Sequence, residues 1–263
     1  MSEKTDLLES ILRRHAPLII AYSGGVDSAY LLAVAHRTLG PAMLGVIADS
    51  PSLPRQSLAN ALDLARQIGA PVEVVRTEEM QDENYAGNPL NRCYFCKAEL
   101  FEKLNALAGK RKFAAIAYGE NADDMQHVRP GRQAATEFSI LAPLRDAGMT
   151  KAEIREASRA LNLPTADAPA QPCLSSRIPF GTPVTTDALA MIEQGEAFVR
   201  SLGFRIFRVR HLVGQDGTAR ARLQVAPGEM DRLEPLNGAL IKGLMAAGYQ
   251  EVEIDPAGYR SPA

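Results

Sequence analysis

The sequence predicts an α/β fold: a parallel sheet with helices on both faces, followed by a small C-terminal α+β unit. Three observations predict it. Short apolar runs alternate with longer amphipathic ones from the N-terminus to about residue 160, the pattern of strands joined by crossover helices. A glycine pair, Gly24-Gly25, stands where the first apolar run gives way to a helix start. Beyond residue 184 the order becomes helix, two strands, helix, strand, which belongs to an α+β unit. The expected domains are therefore 1–183 and 184–263.

The elements follow in order. Residues 3–14 place Leu7, Leu8, Ile11 and Leu12 on one helical face. Leu18 to Tyr22 is a buried strand, and Ala29 to Ala35 opens a helix. Ala42 to Ala48 is a second strand ending at Asp49. Pro54 opens a helix whose Leu58, Leu62, Ala65 and Ile68 form a stripe closed by Gly69. Val72 to Val75 is a third strand, Cys93 to Leu107 a helix, and Phe113 to Tyr118 a fourth strand. Gly119-Glu120-Asn121-Ala122-Asp123-Asp124 reads as a solvated turn and helix cap, or as contacts for magnesium or ribose at a strand's carboxyl end. His127, Arg129 and Arg132 follow in an expected loop with Pro130 and Gly131. Thr150 and Glu153 form a capping box for a helix running to about Leu161.

Leu163 to Pro183 is rich in proline and reads as a loop, yet it holds Cys173, Ser175, Ser176 and Arg177. A loop carrying such residues suits a functional flap. Thr186 to Leu202 is the next helix. Strands over Phe204–Leu212 and Ala219–Val225, a helix over Leu236–Ala247 and a strand over Gln250–Ile254 close the chain.

The loop Ser23-Gly24-Gly25-Val26-Asp27-Ser28 carries the first chemistry. A strand turning through glycines onto a helix start holds phosphate well, because the backbone can approach closely and the helix dipole favours an anion. Ser23 and Ser28 add hydroxyls, and Asp27 can cap the helix or help hold a metal bound to the phosphates. No Gly-Lys-Ser/Thr closes the loop, and it lacks the G-x-G-x-x-G order of dinucleotide sites. It resembles the SGGxDS pyrophosphate loop of the N-type ATP pyrophosphatases.

The 263 residues carry a net charge of −2 and no tryptophan, so global charge gives no sign of a nucleic-acid partner. No apolar run approaches the roughly 20 residues that span a bilayer, and the charged N-terminus is unlike a signal peptide. The expectation is a cytoplasmic chain without membrane contact. Of three cysteines, Cys93 and Cys96 are spaced Cys-x-x-Cys, which lets both sulfurs face one metal or cluster. A redox pair and two inert thiols are the plainer readings. With Cys173 there are three sulfurs, one short of the usual set for an iron–sulfur cube, and an open iron would hold an exogenous sulfide. His127 is the nearby nitrogen candidate for a zinc site.

Arg208 and Arg210 alternate along one strand, and Arg220 and Arg222 along the next. Paired, they would form a guanidinium platform for a multiply charged anion, or else a solvated polar face. Glu193 and Glu196, a turn apart on the preceding helix, could balance that charge or contact a metal.

Taken together these segments resemble the LarE family of ATP-dependent sulfurtransferases. The resemblance rests on SGGVDS at 23–28, GENADD at 119–124, RPGRQAA at 129–135, APLRDAGMTKAEIR at 142–155 and PCLSSRIPFG at 172–181, with RVRH at 208–211 and ARLQV at 221–225. It implies a PP-loop fold of the adenine nucleotide alpha-hydrolase type. It implies that ATP adenylylates a carboxylate of pyridinium-3,5-biscarboxylic acid mononucleotide, and that sulfur then displaces AMP in making the nickel-pincer cofactor of lactate racemase. Some members give up the sulfur of the cysteine matching Cys173; three-cysteine members, which this chain resembles more, use a 4Fe-4S cluster.

On this resemblance Ser23, Gly24, Gly25, Asp27 and Ser28 cradle ATP with Mg2+, and Gly119 and Asp123 belong to the nucleotide site. Cys173, Lys97 and Asp27 are the catalytic candidates, and Cys93, Cys96 and Cys173 the cluster ligands. Arg208, Arg210, Glu196 and Arg177 are expected to bind the pyridinium mononucleotide. Other nickel-pincer biosynthesis proteins and further copies of the chain are the implied partners. Gln224 departs from the pattern, since glutamate is expected there. The competing readings are a tRNA-thiolating PP-loop enzyme, which should show an RNA-binding module or broad basic surface, and a non-catalytic nucleotide-binding subunit.

Overall fold

The computed structural model describes residues 3–126 and 130–259. His127 and Arg129, both singled out in the sequence, lie outside the described residues. In chain order come helix α1 (Glu3–Arg14), strand β1 (Leu18–Ala21), α2 (Val26–Leu39), β2 (Met43–Asp49), α3 (Arg55–Ile68) and β3 (Val72–Arg76). Next are the short α4 (Glu83–Ala86), the long α5 (Arg92–Arg111), β4 (Ala115–Tyr118), α6 (Pro130–Glu137), α7 (Pro143–Asp146) and α8 (Lys151–Ala160). Then follow α9 (Thr186–Ser201), β5 (Phe207–Val213), β6 (Ala219–Val225), α10 (Leu233–Ala246) and β7 (Glu251–Ile254).

The chain divides into two compact units, one of Met1–Asp82 with Asn91–Gln171, the other of Glu83–Leu90 with Pro172–Ala263. The second unit thus begins before residue 184 and takes in a segment from between β3 and α5.

In the first unit the described strands form one parallel sheet in the order β3-β2-β1-β4. Strand side chains alternate between faces. Leu18 and Ile20 pack with Leu8 and Leu12 of α1, Leu31 of α2, Leu64 of α3 and Ile154 of α8. Ile19 packs the other way, with Phe101 and Leu104 of α5 and Ala134 of α6. The sheet is therefore covered on both faces, and β1, β2 and β4 are largely apolar on both sides, whereas the edge strand β3 carries Glu73 and Arg76. Because β1 and β4 are neighbours in register, the loop after β1 and the turn after β4 emerge side by side at the carboxyl edge.

One expectation is corrected here: residues 130–137 form a helix rather than a loop. Pro130 is its first residue, where the missing N–H costs nothing, so the proline starts an element instead of breaking one.

In the second unit β5 pairs antiparallel with β6, and β6 parallel with β7. One face carries Val209, Ala221, Leu223 and Val225 into a core with Val199 of α9 and Leu240 and Leu244 of α10. The other face carries Arg208, Arg210, Arg220, Arg222 and Gln224. The proline-rich stretch contains a 3-10 turn, Leu174–Arg177, for which Cys173 is the N-cap residue.

Candidate functional site

In the first unit the loop leaves β1 at Ala21 and reaches α2 at Val26. Gly24 has φ +78°, and a Cβ there would sit 2.7 Å from the Ala61 Cβ, so a side chain at this position displaces α3. Gly119 is as tight in space, with a Cβ meeting the Ser28 N at 2.8 Å. The structure thus brings Gly119 against the start of α2. The Ser23 and Ser28 hydroxyls are 3.0 Å apart, the Ser23 N–H donates to Ser28 Oγ at 3.1 Å, and Ser28 Oγ donates to the Gly25 carbonyl at 3.0 Å. No side chain caps α2, which leaves its N-terminal dipole facing the loop.

Asp27, in the first turn of α2, accepts from Lys151 Nζ at 2.7 Å and from Asn121 Nδ2 at 3.4 Å through one carboxylate oxygen. Its other oxygen, Oδ1, is buried and has no hydrogen-bond partner among the described residues. Asp123 accepts from the Lys151 N–H at 2.8 Å, and Asn121 Oδ1 accepts from the N–H groups of Asp123 and Asp124. Glu120, expected in a solvated turn, is 4% exposed. It takes Arg132 at 2.8 Å on one oxygen and Arg145 at 2.9 Å on the other. Burial works to raise the Glu120 carboxyl, but the Arg132 hydrogen bond and both guanidinium charges outweigh it, and the group is held below the usual carboxylate range.

Lys97 lies one turn into α5, with its Nζ 4.7 Å from the Tyr118 ring centroid and 5.5 Å from that of Phe101. Desolvation pushes its ammonium below the ordinary lysine range, against the opposing pull of Cys96, Glu120, Cys93 and Asp124. Cys93 is exposed and Cys96 half-buried, and neither is in a disulfide. Both lie in the first two turns of α5.

In the second unit Arg177 and Glu196 are 3% and 4% exposed. They form a two-pronged pair, Nε to Oε1 at 2.8 Å and Nη2 to Oε2 at 2.9 Å. The Val209 N–H also donates to Glu196, at 3.2 Å. The remaining Arg177 nitrogen donates to the carbonyls of Pro172 at 2.5 Å and Cys173 at 2.9 Å. Ser176 adds its N–H at 3.0 Å and its hydroxyl at 2.7 Å to that same Cys173 carbonyl. Tyr85 Oη lies 2.8 Å from Ser175 Oγ, and Asn88 donates to the carbonyls of Pro179 and Thr182, which anchors the rest of the flap. Arg177 and Glu196, two of the four residues expected on the substrate, thus face each other, and Arg177 also faces the cysteine backbone.

Arg208 and Arg210 are half-buried on the polar face of β5. Arg210 donates to Gln224 Oε1 at 2.9 Å and to the Ser176 carbonyl at 2.8 Å. Desolvation, then the Arg177 charge, pushes both guanidiniums below the ordinary arginine range. The register does set Arg210 opposite Arg222. The four-arginine platform, however, is divided: Arg220 and Arg222 pair with Glu251 and Glu253 of β7. That correction has a simple cause, since parallel pairing with β7 puts each glutamate beside its arginine and removes the like-charge strain. The anion-facing candidates are Arg208 and Arg210.

Arg145 and Lys151 were not singled out in the sequence, and Glu120, Asn121 and Arg132 were named there without an assigned role in the site. Lys151 did leave a signal: it is the first residue of α8, where a cation opposes the helix dipole unless a carboxylate meets it. A surface hollow of about 410 Å3 between α10 and β7, lined by Leu233, Asn237, Ile241, Val252 and Ile254, shares no residue with these clusters. Among the described residues no three His, Cys, Asp or Glu side chains gather as a metal site, and no helix is long and apolar enough to cross a membrane.

The parallel sheet, the SGGVDS turn onto α2 and the small mixed sheet define an α/β protein of the PP-loop class. The chain is 39% identical over 245 residues to the uncharacterized protein slr1717 of Synechocystis, covering 92% of this chain and 90% of that one. It is 28% identical over 262 residues to the pyridinium-3,5-bisthiocarboxylic acid mononucleotide synthase of Lactiplantibacillus plantarum, covering 99% and 93%. With the uncharacterized protein MJ0830 of Methanocaldococcus jannaschii it shares 29% identity over 250 residues, covering 94% and 92%. No protein-family model matches the chain. The chain belongs with these proteins to a LarE-like family.

Proposed function

We propose that the protein is an ATP-dependent sulfurtransferase acting on the carboxylates of a pyridinium mononucleotide, in the synthesis of a nickel-pincer cofactor. The observation that carries the reading is the loop at the head of α2. Gly24 and Gly119 are closed to any side chain, both serine hydroxyls converge, and the helix start is left uncapped. Such a cradle suits a polyphosphate. The full-length likeness to the Lactiplantibacillus synthase supports this substrate class.

In this reading Ser23, Gly25 and Ser28 orient the phosphates, while Lys151 holds Asp27 through Oδ2. The orphaned Oδ1 fits a Mg2+ ion, which would neutralise charge on the departing pyrophosphate. Lys97, poorly solvated and near the cysteine pair, stabilises negative charge on the acyl-adenylate. Arg208 and Arg210 take the phosphate and the second carboxylate. Hydrosulfide from a sulfur source then attacks the activated carbonyl carbon, the C–O bond to AMP breaks, AMP leaves, the S–H proton is lost, and a thiocarboxylate forms.

The donor set of Cys93, Cys96 and Cys173 has the chemistry for an iron–sulfur cluster, with two soft thiols a turn apart on one helix. Among the described residues no three His, Cys, Asp or Glu side chains gather as a metal site. Anaerobic iron and sulfide analysis, compared between native protein and Cys93→Ser, tests that part of the reading. The activity is tested by pyrophosphate release from ATP, which is expected to depend on the pyridinium dicarboxylate mononucleotide. Release with tRNA instead would replace the reading.

A further inference from the structure

The turn that closes the chain after β7 is built into the arginine pair. Asp255 donates its N–H to the Leu223 carbonyl at 2.8 Å, and its Oδ1 accepts from the Ala257 N–H at 2.9 Å. The Tyr259 N–H reaches the Val225 carbonyl at 2.8 Å. Gly258 makes this possible: it has φ +68°, and a Cβ would stand 2.7 Å from the Val225 oxygen and 2.9 Å from the Met230 sulfur. Tyr259 is 8% exposed, and its ring lies under the Arg208 guanidinium, 4.7 Å from centroid to Cζ. An aromatic face at that distance attracts a cation and fixes the plane of its fork.

The same turn reaches Arg210 through Gln224. The amide donates Nε2 to Asp255 Oδ2 at 2.8 Å and accepts from Arg210 Nε at 2.9 Å. This explains why glutamine replaces the glutamate expected from the family pattern. A glutamate would offer only acceptors, would face the Asp255 carboxylate, and would neutralise Arg210.

We propose that the C-terminal turn, residues 255–259, is a positioning element of the anion site: Tyr259 sets the plane of Arg208, and the Asp255–Gln224 link sets Arg210. The class of ligand is a phosphorylated pyridine nucleotide, so the inference rests on the function proposed above. It is tested in full-length protein with nicotinic acid mononucleotide as the probe and ATP binding as the reference. Tyr259→Leu is expected to weaken mononucleotide binding roughly 3- to 30-fold, the range of a cation–π contact, with ATP affinity unchanged. Tyr259→Phe keeps the ring and restores binding to within about 2-fold, which a purely bulk-filling role for the hydroxyl-bearing side chain would not distinguish from leucine. Gln224→Glu gives a second route to the same loss if Tyr259→Leu folds poorly. Native-like mononucleotide affinity in both Tyr259→Leu and Gln224→Glu overturns the positioning role while leaving the function intact. Failure of the native protein to bind the mononucleotide overturns the substrate reading and this inference together.

Discussion

Replacing Arg177 by methionine removes one half of a buried ion pair, and the structure sets the size of the effect. The two side chains are 4% and 5% exposed. Glu196 accepts from Arg177 at 2.8 and 2.9 Å and from the Val209 N–H at 3.2 Å. Arg177→Met leaves the carboxylate buried with the single Val209 donor. Breaking a pair of this kind costs about 3–5 kcal/mol. Replacing both partners by apolar residues of similar volume costs far less, because no charge is stranded. The assay is urea unfolding of Arg177→Met, Glu196→Gln and the Arg177→Met/Glu196→Leu double variant. The loss also frees the Cys173 carbonyl from one of its donors, so alkylation of Cys173 by iodoacetamide is expected to accelerate by up to about tenfold per 1.4 kcal/mol lost locally. Single variants that lose under about 1 kcal/mol with unchanged Cys173 kinetics would refute the argument that this pair is sealed and holds the cysteine segment.

Three other outcomes follow from particular contacts. Gly24→Ala must adopt φ +78° and push against Ala61, so a loss of about 2 kcal/mol in stability is expected, whereas Gly25→Ala, at φ −76° with its nearest neighbour at 3.7 Å, unfolds at nearly the native urea midpoint. Lys97 is held below its ordinary pKa by burial, so between its folded value and about 10.4 the unfolded chain binds more protons; its contribution to stability is least at neutral pH and grows as pH rises through that window. Competitive acetylation read by mass spectrometry is expected to label Lys97 at lower pH than Lys103, which the Glu78 hydrogen bond shifts upward. At α8, Lys4 first and then the Thr150 cap hold Glu153 at about 2, so its contribution is present above the unfolded value of about 4.3 and is lost as pH falls toward 2. Thr150→Ala should cost about 1 kcal/mol and flatten that acid limb of the unfolding curve.

Much of the frame was legible because it is local. The strands are short apolar runs, the helices amphipathic stripes, and the α8 capping box needs only Thr150 and Glu153. The glycine-pair turn was legible for the same reason. What escaped is set by long-range pairing. Glu120 looks solvated in Gly-Glu-Asn-Ala-Asp-Asp, and only the fold brings Arg132 and Arg145 to it. Four arginines on one sheet face looked like a single platform until β7 laid Glu251 and Glu253 beside Arg220 and Arg222. An alternating Glu-Val-Glu on the last strand was the available clue, but nothing local fixes which strand it joins. Pro130-Gly131 reads as a breaker from composition, yet proline at a helix's first position is a starter. Arg177 and Glu196 were expected on the substrate from the family resemblance; their burial against one another is a tertiary fact.

The most direct test of the account incubates the full-length protein with ATP, Mg2+, a sulfur source and pyridinium-3,5-biscarboxylic acid mononucleotide, and follows the products by mass spectrometry. The expected result is AMP and pyrophosphate formed one for one, with an oxygen of the mononucleotide replaced by sulfur and the whole reaction lost in Asp27→Asn. ATP that binds at the loop and is recovered uncleaved in the presence of that mononucleotide would contradict it.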